Sequence, residues 1–228
     1  MTGISLAFEG STYGGSVALL SGGHVVAERT LTDNGTPSKE GREERVLPSV
    51  AACLDEAGIR VGEIARVVCG AGPGSFTSLR ISASIAKGIA VGAGCPMYSV
   101  SSLLLSVAGV RDALTKGLYL SVLPAMRGDW FALIVQIGVQ DSIEPLGDAS
   151  IISEVDLAQY AGEHSATLLG PGRAIDTRPH ARAVGDLLEQ IIAAGPVPID
   201  TWEPDYGRLA EAQVKWEAAH GRPLGAGT

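Results

Sequence analysis

The chain is short of the residues that most often carry chemistry. It has three cysteines, Cys53, Cys69 and Cys95, an odd number, widely spaced and each in an apolar setting. That argues against a disulfide framework or a thiolate metal site and fits buried thiols in a reducing compartment. The four histidines, His24, His164, His180 and His220, stand alone, with no His-x-x-x-His pair to clasp a metal. There is no Gly-x-Ser-x-Gly, and no cysteine has a histidine placed by spacing, so a serine or thiol nucleophile has no support. Basic residues form no long run, and the formal net charge is -8. Gripping a nucleic acid requires clustered Lys and Arg, so any positive surface is expected from a partner. No apolar run is long enough to cross a bilayer. Met1-Thr2-Gly3 leads straight into a strand pattern without a secretory signal. The expected location is the cytoplasm.

What is present is the material of a packed core. Of 228 residues, 46% are hydrophobic and 18% charged, enough for one sizeable domain or two small lobes. The stretch at 66–90 organises the rest. Arg66-Val67-Val68-Cys69 is a brief, β-branched run bounded by glycine, which reads as a buried strand. Gly70-Ala71-Gly72-Pro73-Gly74 then turns tightly, with Pro73 fixing one dihedral. Ser75 or Thr77 is placed to cap a helix in which Ile81, Ile85 and Ile89 fall near one stripe. Such a strand, glycine turn and helix could hold an anion at the helix N-terminus. It could equally be a demanding turn that sets Phe76 and Arg80 against the core or a partner. It matches neither the dinucleotide fingerprint nor the phosphate loop, since no Gly-Lys-Ser/Thr follows, and the structural reading is preferred.

In chain order, 4–9, 16–20 and 24–31 read as three antiparallel strands, the last two joined by a Gly22-Gly23 hairpin turn. Residues 32–42 are a polar loop. A helix follows, with Val46, Leu47, Val50, Ala51 and Leu54 inward and an end near Gly58. Pro48 predicts a kink or a later start. Beyond the central unit, 97–100 is a strand, and Ser101-Ser102 caps a helix through Val110. The order β-β-β-α-β-α-β-α predicts a mixed sheet flanked by helices. In the second half, 118–123, 130–137 and 166–169 read as strands, with a turn at 124–129. Ser153 caps a short helix ending at Gly162. Residues 183–194 form a helix with Val184, Leu187, Leu188, Ile191 and Ile192 inside. A last helical stretch runs to His220, and 221–228 are expected to fray.

Gly72-Pro73-Gly74-Ser75-Phe76-Thr77-x-Leu79-Arg80-Ile81, then Ala86-Lys87-Gly88-Ile89-Ala90, resembles the signature of the bacterial TsaB (YeaZ) family. Glu44, Leu47 and Pro48, then Pro96, Val100-Ser101-Ser102-Leu103 and Pro204-x-Tyr206-x-Arg208, also match. The chain departs from the pattern at Glu9-Gly10, where Asp-Thr is usual, and at Arg42, where histidine is usual. Pro124 replaces an Asp, and Ser78 and Gly207 replace Gly and Leu.

The resemblance implies an α/β fold of two ribonuclease-H-like lobes, as in the actin-like ATPases, each a mixed sheet flanked by helices. The expected lobes are 1–105, carrying the motif, and a reduced 106–228. It implies a non-catalytic scaffold, without cofactor or metal, in the complex forming N6-threonylcarbamoyladenosine at position 37 of tRNA. The partners implied are TsaD-like and TsaE-like proteins, with a homodimer possible and tRNA met only through the complex. The sister family TsaD binds metal through the histidine pair that this chain lacks. Gly72, Pro73, Gly74, Ser75, Phe76, Thr77, Arg80 and Lys87 would form the structural turn. Glu9, Ser11 and Thr12 would mark a vestigial nucleotide cleft. In the superfamily a carboxylate there helps hold magnesium; for Glu9 a solvated or turn-capping carboxylate is preferred. Glu44, Val46, Leu47, Val50 and Leu54 would face a partner. The alternative is an ATP-dependent phosphotransferase or ATPase using Glu9, Ser11, Thr12 and the 72–77 turn. A self-associating relative without a TsaD partner is a third reading.

Overall fold

A computed structural model of the chain describes residues 3–12, 15–31, 45–139 and 142–207. The first sheet has the order β3-β2-β1-β4-β5, from β1 (Ile4–Glu9), β2 (Ser16–Ser21), β3 (His24–Thr30), β4 (Ile64–Gly70) and β5 (Met97–Val100). The hairpin pairs are antiparallel, whereas β1, β4 and β5 run parallel. The Gly22-Gly23 turn has φ of 58° and 91°, the positive values a tight hairpin needs. Helices α1 (Val46–Ala57), α2 (Phe76–Ala93) and α3 (Ser102–Ala108) complete the first half.

The second sheet runs β10-β6-β7-β8, with β9 also on β7. Its strands are β6 (Gly117–Pro124), β7 (Asp129–Ile137), β8 (Ile143–Pro145), β9 (Ser150–Ser153) and β10 (Ala166–Leu169). Helices α4 (Leu157–Glu163) and α5 (Val184–Ala194) belong to this half. Both halves are therefore mixed sheets with helices, the expected α/β architecture.

Alternation along the strands sorts the core into layers. Leu6, Phe8, Val17, Leu19 and Val67 pack on one face of the first sheet with Val46, Val50, Leu54, Ala83, Ala86 and Ala90 of α1 and α2. Ala7, Ala18, Leu20 and Val68 on its other face meet α3, α5 and the inner residues Tyr119, Leu123, Phe131 and Leu133 of the second sheet. Leu120, Val122 and Ala132 face outward onto α4. Helix α3 is buried along its whole length between the sheets. Each fully buried leucine in such a layer contributes about 2 kcal/mol.

Several local expectations change. Helix α1 begins at Val46, so Pro48 sits in the first turn, where no intrahelical N–H bond is lost, and no kink is needed. Ser75 is at the N-cap of α2 but does not cap with its side chain; its hydroxyl pairs with that of Ser78 at 3.2 Å. The buried face of α2 is the small-residue set Ser82, Ala83, Ala86 and Ala90 with Leu79, while Ile81, Ile85 and Ile89 flank it half-buried. Asp156, not Ser153, is at the N-cap of α4. Ser101 does cap α3, accepting from the Leu103 N–H at 3.2 Å, but that helix ends at Ala108 rather than Val110. The short strands β8 and β9 carried no sequence signal. The expected last helix to His220 lies outside the described residues.

Candidate functional site

Three parallel strands end side by side. β1 stops at Glu9, β4 at Gly70 and β5 at Val100, so the turns after them meet at one sheet edge. The Ala71 N–H donates to the Val100 carbonyl at 2.7 Å, and the Ser102 N–H donates to the Gly72 carbonyl at 2.8 Å. The Ser75 N–H donates to the Ser11 carbonyl at 2.7 Å. The motif turn thus bridges the turn after β1 and the start of α3.

Glu9 is the centre of this arrangement. It is fully buried. One carboxylate oxygen accepts from the Ser11 N–H at 2.6 Å, and the other accepts from the Ser102 hydroxyl at 2.9 Å. The same Ser102 hydroxyl oxygen accepts from the Gly72 N–H at 3.2 Å. Burial pushes the Glu9 carboxyl up from its usual value, against the opposing pull of its bonds to Ser11 and Ser102. Glu9 therefore caps its turn, as one of the two expectations had it, but is not solvated. A Cβ at Gly70 would strike the Glu9 carboxylate, and one at Gly74 would strike the Ser11 backbone, so only glycine fits the packing at either position. Among the described residues the enclosed Ser11 hydroxyl has no hydrogen-bond partner, and Thr12 is half-buried.

Both Glu9 oxygens accept from donors of the protein itself, and burial favours the neutral acid. Magnesium demands near-ideal octahedral oxygen geometry and usually keeps several waters. A carboxylate enclosed in this way serves as an internal strut. Among the described residues, no group of three or more His, Cys, Asp or Glu is placed to hold a metal. No described helix is long and apolar enough to cross a membrane.

Outside this knot lies the exposed side of α2. Gly72 and Pro73 are buried, whereas Phe76, Thr77 and Arg80 are exposed. The Arg80 guanidinium lies 4.5 Å over the Phe76 ring. Lys87 is half-buried and pairs with Glu203 at 3.7 Å. On α1, the expected partner face is corrected. Val46, Val50 and Leu54 are 3%, 4% and 7% exposed, because their stripe is the one that packs on the first sheet. Leu47, at 57%, is the large apolar residue of the set open to solvent. Glu44 lies outside the described residues.

A surface that sequence reasoning passed over runs along α2 through Thr77, Arg80, Ser84, Gly88 and Val91, all exposed and spaced three or four apart. Among the described residues a Cβ at Gly88 would meet nothing within 4 Å, so their packing does not require glycine there. Glycine inside a helix costs about 1 kcal/mol relative to alanine. The signal that could have found this surface is the spacing of Arg80, Ser84 and Gly88, which fall four apart on the side of the helix opposite its buried Leu79, Ala83, Ala86 and Ala90.

A family model described as "TsaD: tRNA N6-adenosine threonylcarbamoyltransferase" matches residues 36–127. A Bacillus subtilis protein described as "tRNA threonylcarbamoyladenosine biosynthesis protein TsaB" is 28% identical, over 92% of this chain and 96% of its own length. The Escherichia coli protein of the same description is 38% identical over 104 residues, 46% of this chain and 42% of that protein. The solved structure of YeaZ from Pseudomonas aeruginosa is similar with a TM-score of 0.74 at 22% identity, over 90% of this chain and all of that one. That structural likeness bears on the fold.

Proposed function

We propose that the chain, whose relatives point to the TsaB (YeaZ) family, is the non-catalytic subunit of a complex forming N6-threonylcarbamoyladenosine in tRNA. It pairs with a TsaD-like transferase, and a TsaE-like ATPase joins the pair. The observation that carries this reading is the closed Glu9 cluster. The position where an active relative would hold metal and phosphate is occupied by internal bonds to Ser11 and Ser102. The chain keeps the strand ends and the glycine turn of a nucleotide-binding lobe and uses them for packing.

The partner surface is the outer side of α1 and α2, with Leu47, Ser84, Gly88 and Val91 at its centre. Small residues there let another helix approach closely. Lobe 1–105 carries this surface, and 106–228 supplies the second sheet. The net charge of -8 leaves tRNA contact to the partners.

Reconstitution tests the reading. A lysate of the same cell, containing the TsaD-like and TsaE-like proteins and depleted of this chain, is incubated with unmodified tRNA and ATP, with and without the purified chain. Modified adenosine is expected only when this chain is present. Equal modification without it, or Glu9-dependent ATP turnover by the pure chain, would overturn the proposal.

A further inference from the structure

The match Pro204-x-Tyr206 lies far from the motif in sequence, and the function proposed above does not use it. In the fold it returns to the motif. After α5 the chain crosses back to the first sheet, where the Val197 N–H donates to the Met97 carbonyl on edge strand β5 at 2.8 Å. Val197, Ile199 and Trp202 pack on the layer between that sheet and α1 and α2. Lys87 of α2 lies 5.9 Å over the Trp202 ring and pairs with Glu203. Next, the Asp205 N–H donates to the Ala71 carbonyl at 2.7 Å, tying the segment to the motif turn itself. The Tyr206 ring stands 4.5 Å from that of Phe76, and Arg80 is 6.0 Å from Tyr206. The Asp205 carboxylate accepts from the Gly207 N–H at 2.7 Å. Gly207, with φ of 67°, rests against the Phe131 ring of β7, where a Cβ would overlap it.

Residues 204–207 therefore touch the motif turn, the first turn of α2 and the second sheet at once. We infer that they are a latch, with Tyr206 the positioning residue that fixes the motif turn and the N-terminal face of α2 in the shape a partner meets. The part of this inference that concerns the partner rests on the function proposed above. The part that concerns the turn stands on the isolated chain. Phe76 is 37% exposed even with Tyr206 against it, so removal of that ring strips the cover from the helix start. Asp205 holds the Gly72 side of the same turn, because a Cβ at Gly72 would meet the Asp205 carbonyl.

The test compares the full-length chain with Tyr206→Ala and Tyr206→Phe by hydrogen exchange and by binding to the TsaD-like partner. Tyr206→Ala is expected to speed exchange across residues 71–80 by roughly tenfold, with α5 unchanged. Its affinity for the partner is expected to fall by a similar factor. Tyr206→Phe keeps the ring and is expected to behave as the unaltered chain, since among the described residues the tyrosine hydroxyl bonds only to the exposed Glu203 carboxylate. Unchanged exchange at 71–80 in Tyr206→Ala, or an equal rise in α5, would overturn the latch. So would unaltered partner affinity in a variant whose parent binds. If the unaltered chain does not bind the partner, the proposed function fails, and the exchange comparison alone still decides the latch.

Discussion

Replacing Glu9 tests the closed cluster directly. Glu9→Ala leaves the buried Ser11 N–H and the Ser102 hydroxyl without an acceptor and opens a void where the carboxylate stood. An orphaned buried donor costs about 1–3 kcal/mol, and relief of a buried acid offsets part of the loss. The net expectation is a destabilisation of about 2–4 kcal/mol, or a fall in Tm of roughly 5–15 °C for a chain of this size. Glu9→Gln keeps the shape and one carbonyl acceptor, and its amide can donate to the Ser102 oxygen. It is expected to stay within about 1 kcal/mol of the parent at neutral pH.

The sign of the pH dependence separates this account from others. The folded protein holds the Glu9 proton more tightly than the unfolded chain, whose carboxyl has the usual value of 4.5. Above that value the folded state keeps more of its protons than the unfolded chain does, so this group's contribution to stability declines as pH rises until its folded value is passed and is level above it. Each tenfold difference in proton affinity is worth about 1.4 kcal/mol. Urea unfolding of the parent and of Glu9→Gln from pH 4.5 to 8 measures the difference. The parent is expected to lose stability relative to Glu9→Gln as pH rises from 4.5. A difference that is flat, or that grows in the parent's favour with pH, would refute the burial argument.

Gly70→Ala is expected to cost about 2–4 kcal/mol in thermal unfolding, because its methyl would displace the Glu9 carboxylate. Gly88→Ala is expected to stabilise the isolated chain by about 0.5–1 kcal/mol, since the added methyl meets open space; Gly88→Glu should fold normally and lose the TsaD-like partner in a pull-down. The Nδ1 of His180 accepts from the Arg182 N–H at 3.1 Å, and burial lowers the proton affinity of this histidine below its usual value of 6.5. Stability should therefore drop as pH falls through that value, and His180→Asn should flatten the drop in unfolding curves. Burial pushes the Cys69 thiol up, and all three cysteines are buried, so an aromatic disulfide reagent should label none of them until urea unfolds the chain.

Several parts of the fold were legible because they rest on local rules. Gly22-Gly23 could only be a tight turn between alternating apolar strands, and Gly58 had to end α1, where it adopts φ of 65°. The run at 67–69, the glycine turn and the helix after it followed from their own punctuation. The motif's resemblance to the TsaB (YeaZ) signature was also legible, because its spacing is undisturbed. Strands β8 and β9 were not, since three or four residues of half-exposed backbone take their conformation from pairing with β7.

The side on which a residue is used was decided by the tertiary structure. A helical pattern identifies the apolar stripe of α1 but not whether a sheet or a partner covers it; the first sheet covers Val46, Val50 and Leu54 and leaves Leu47 outside. Nothing near Glu9 in sequence says that Ser102 will stand 2.9 Å away, because β5 brings it there from 93 positions along the chain. The same holds for Tyr206 against Phe76. Periodicity and turn chemistry act over a few residues, so the sequence alone determined the longer elements and the motif. Burial, proton affinity and the latch depend on which distant segments the sheets bring together, and only the assembled fold sets those.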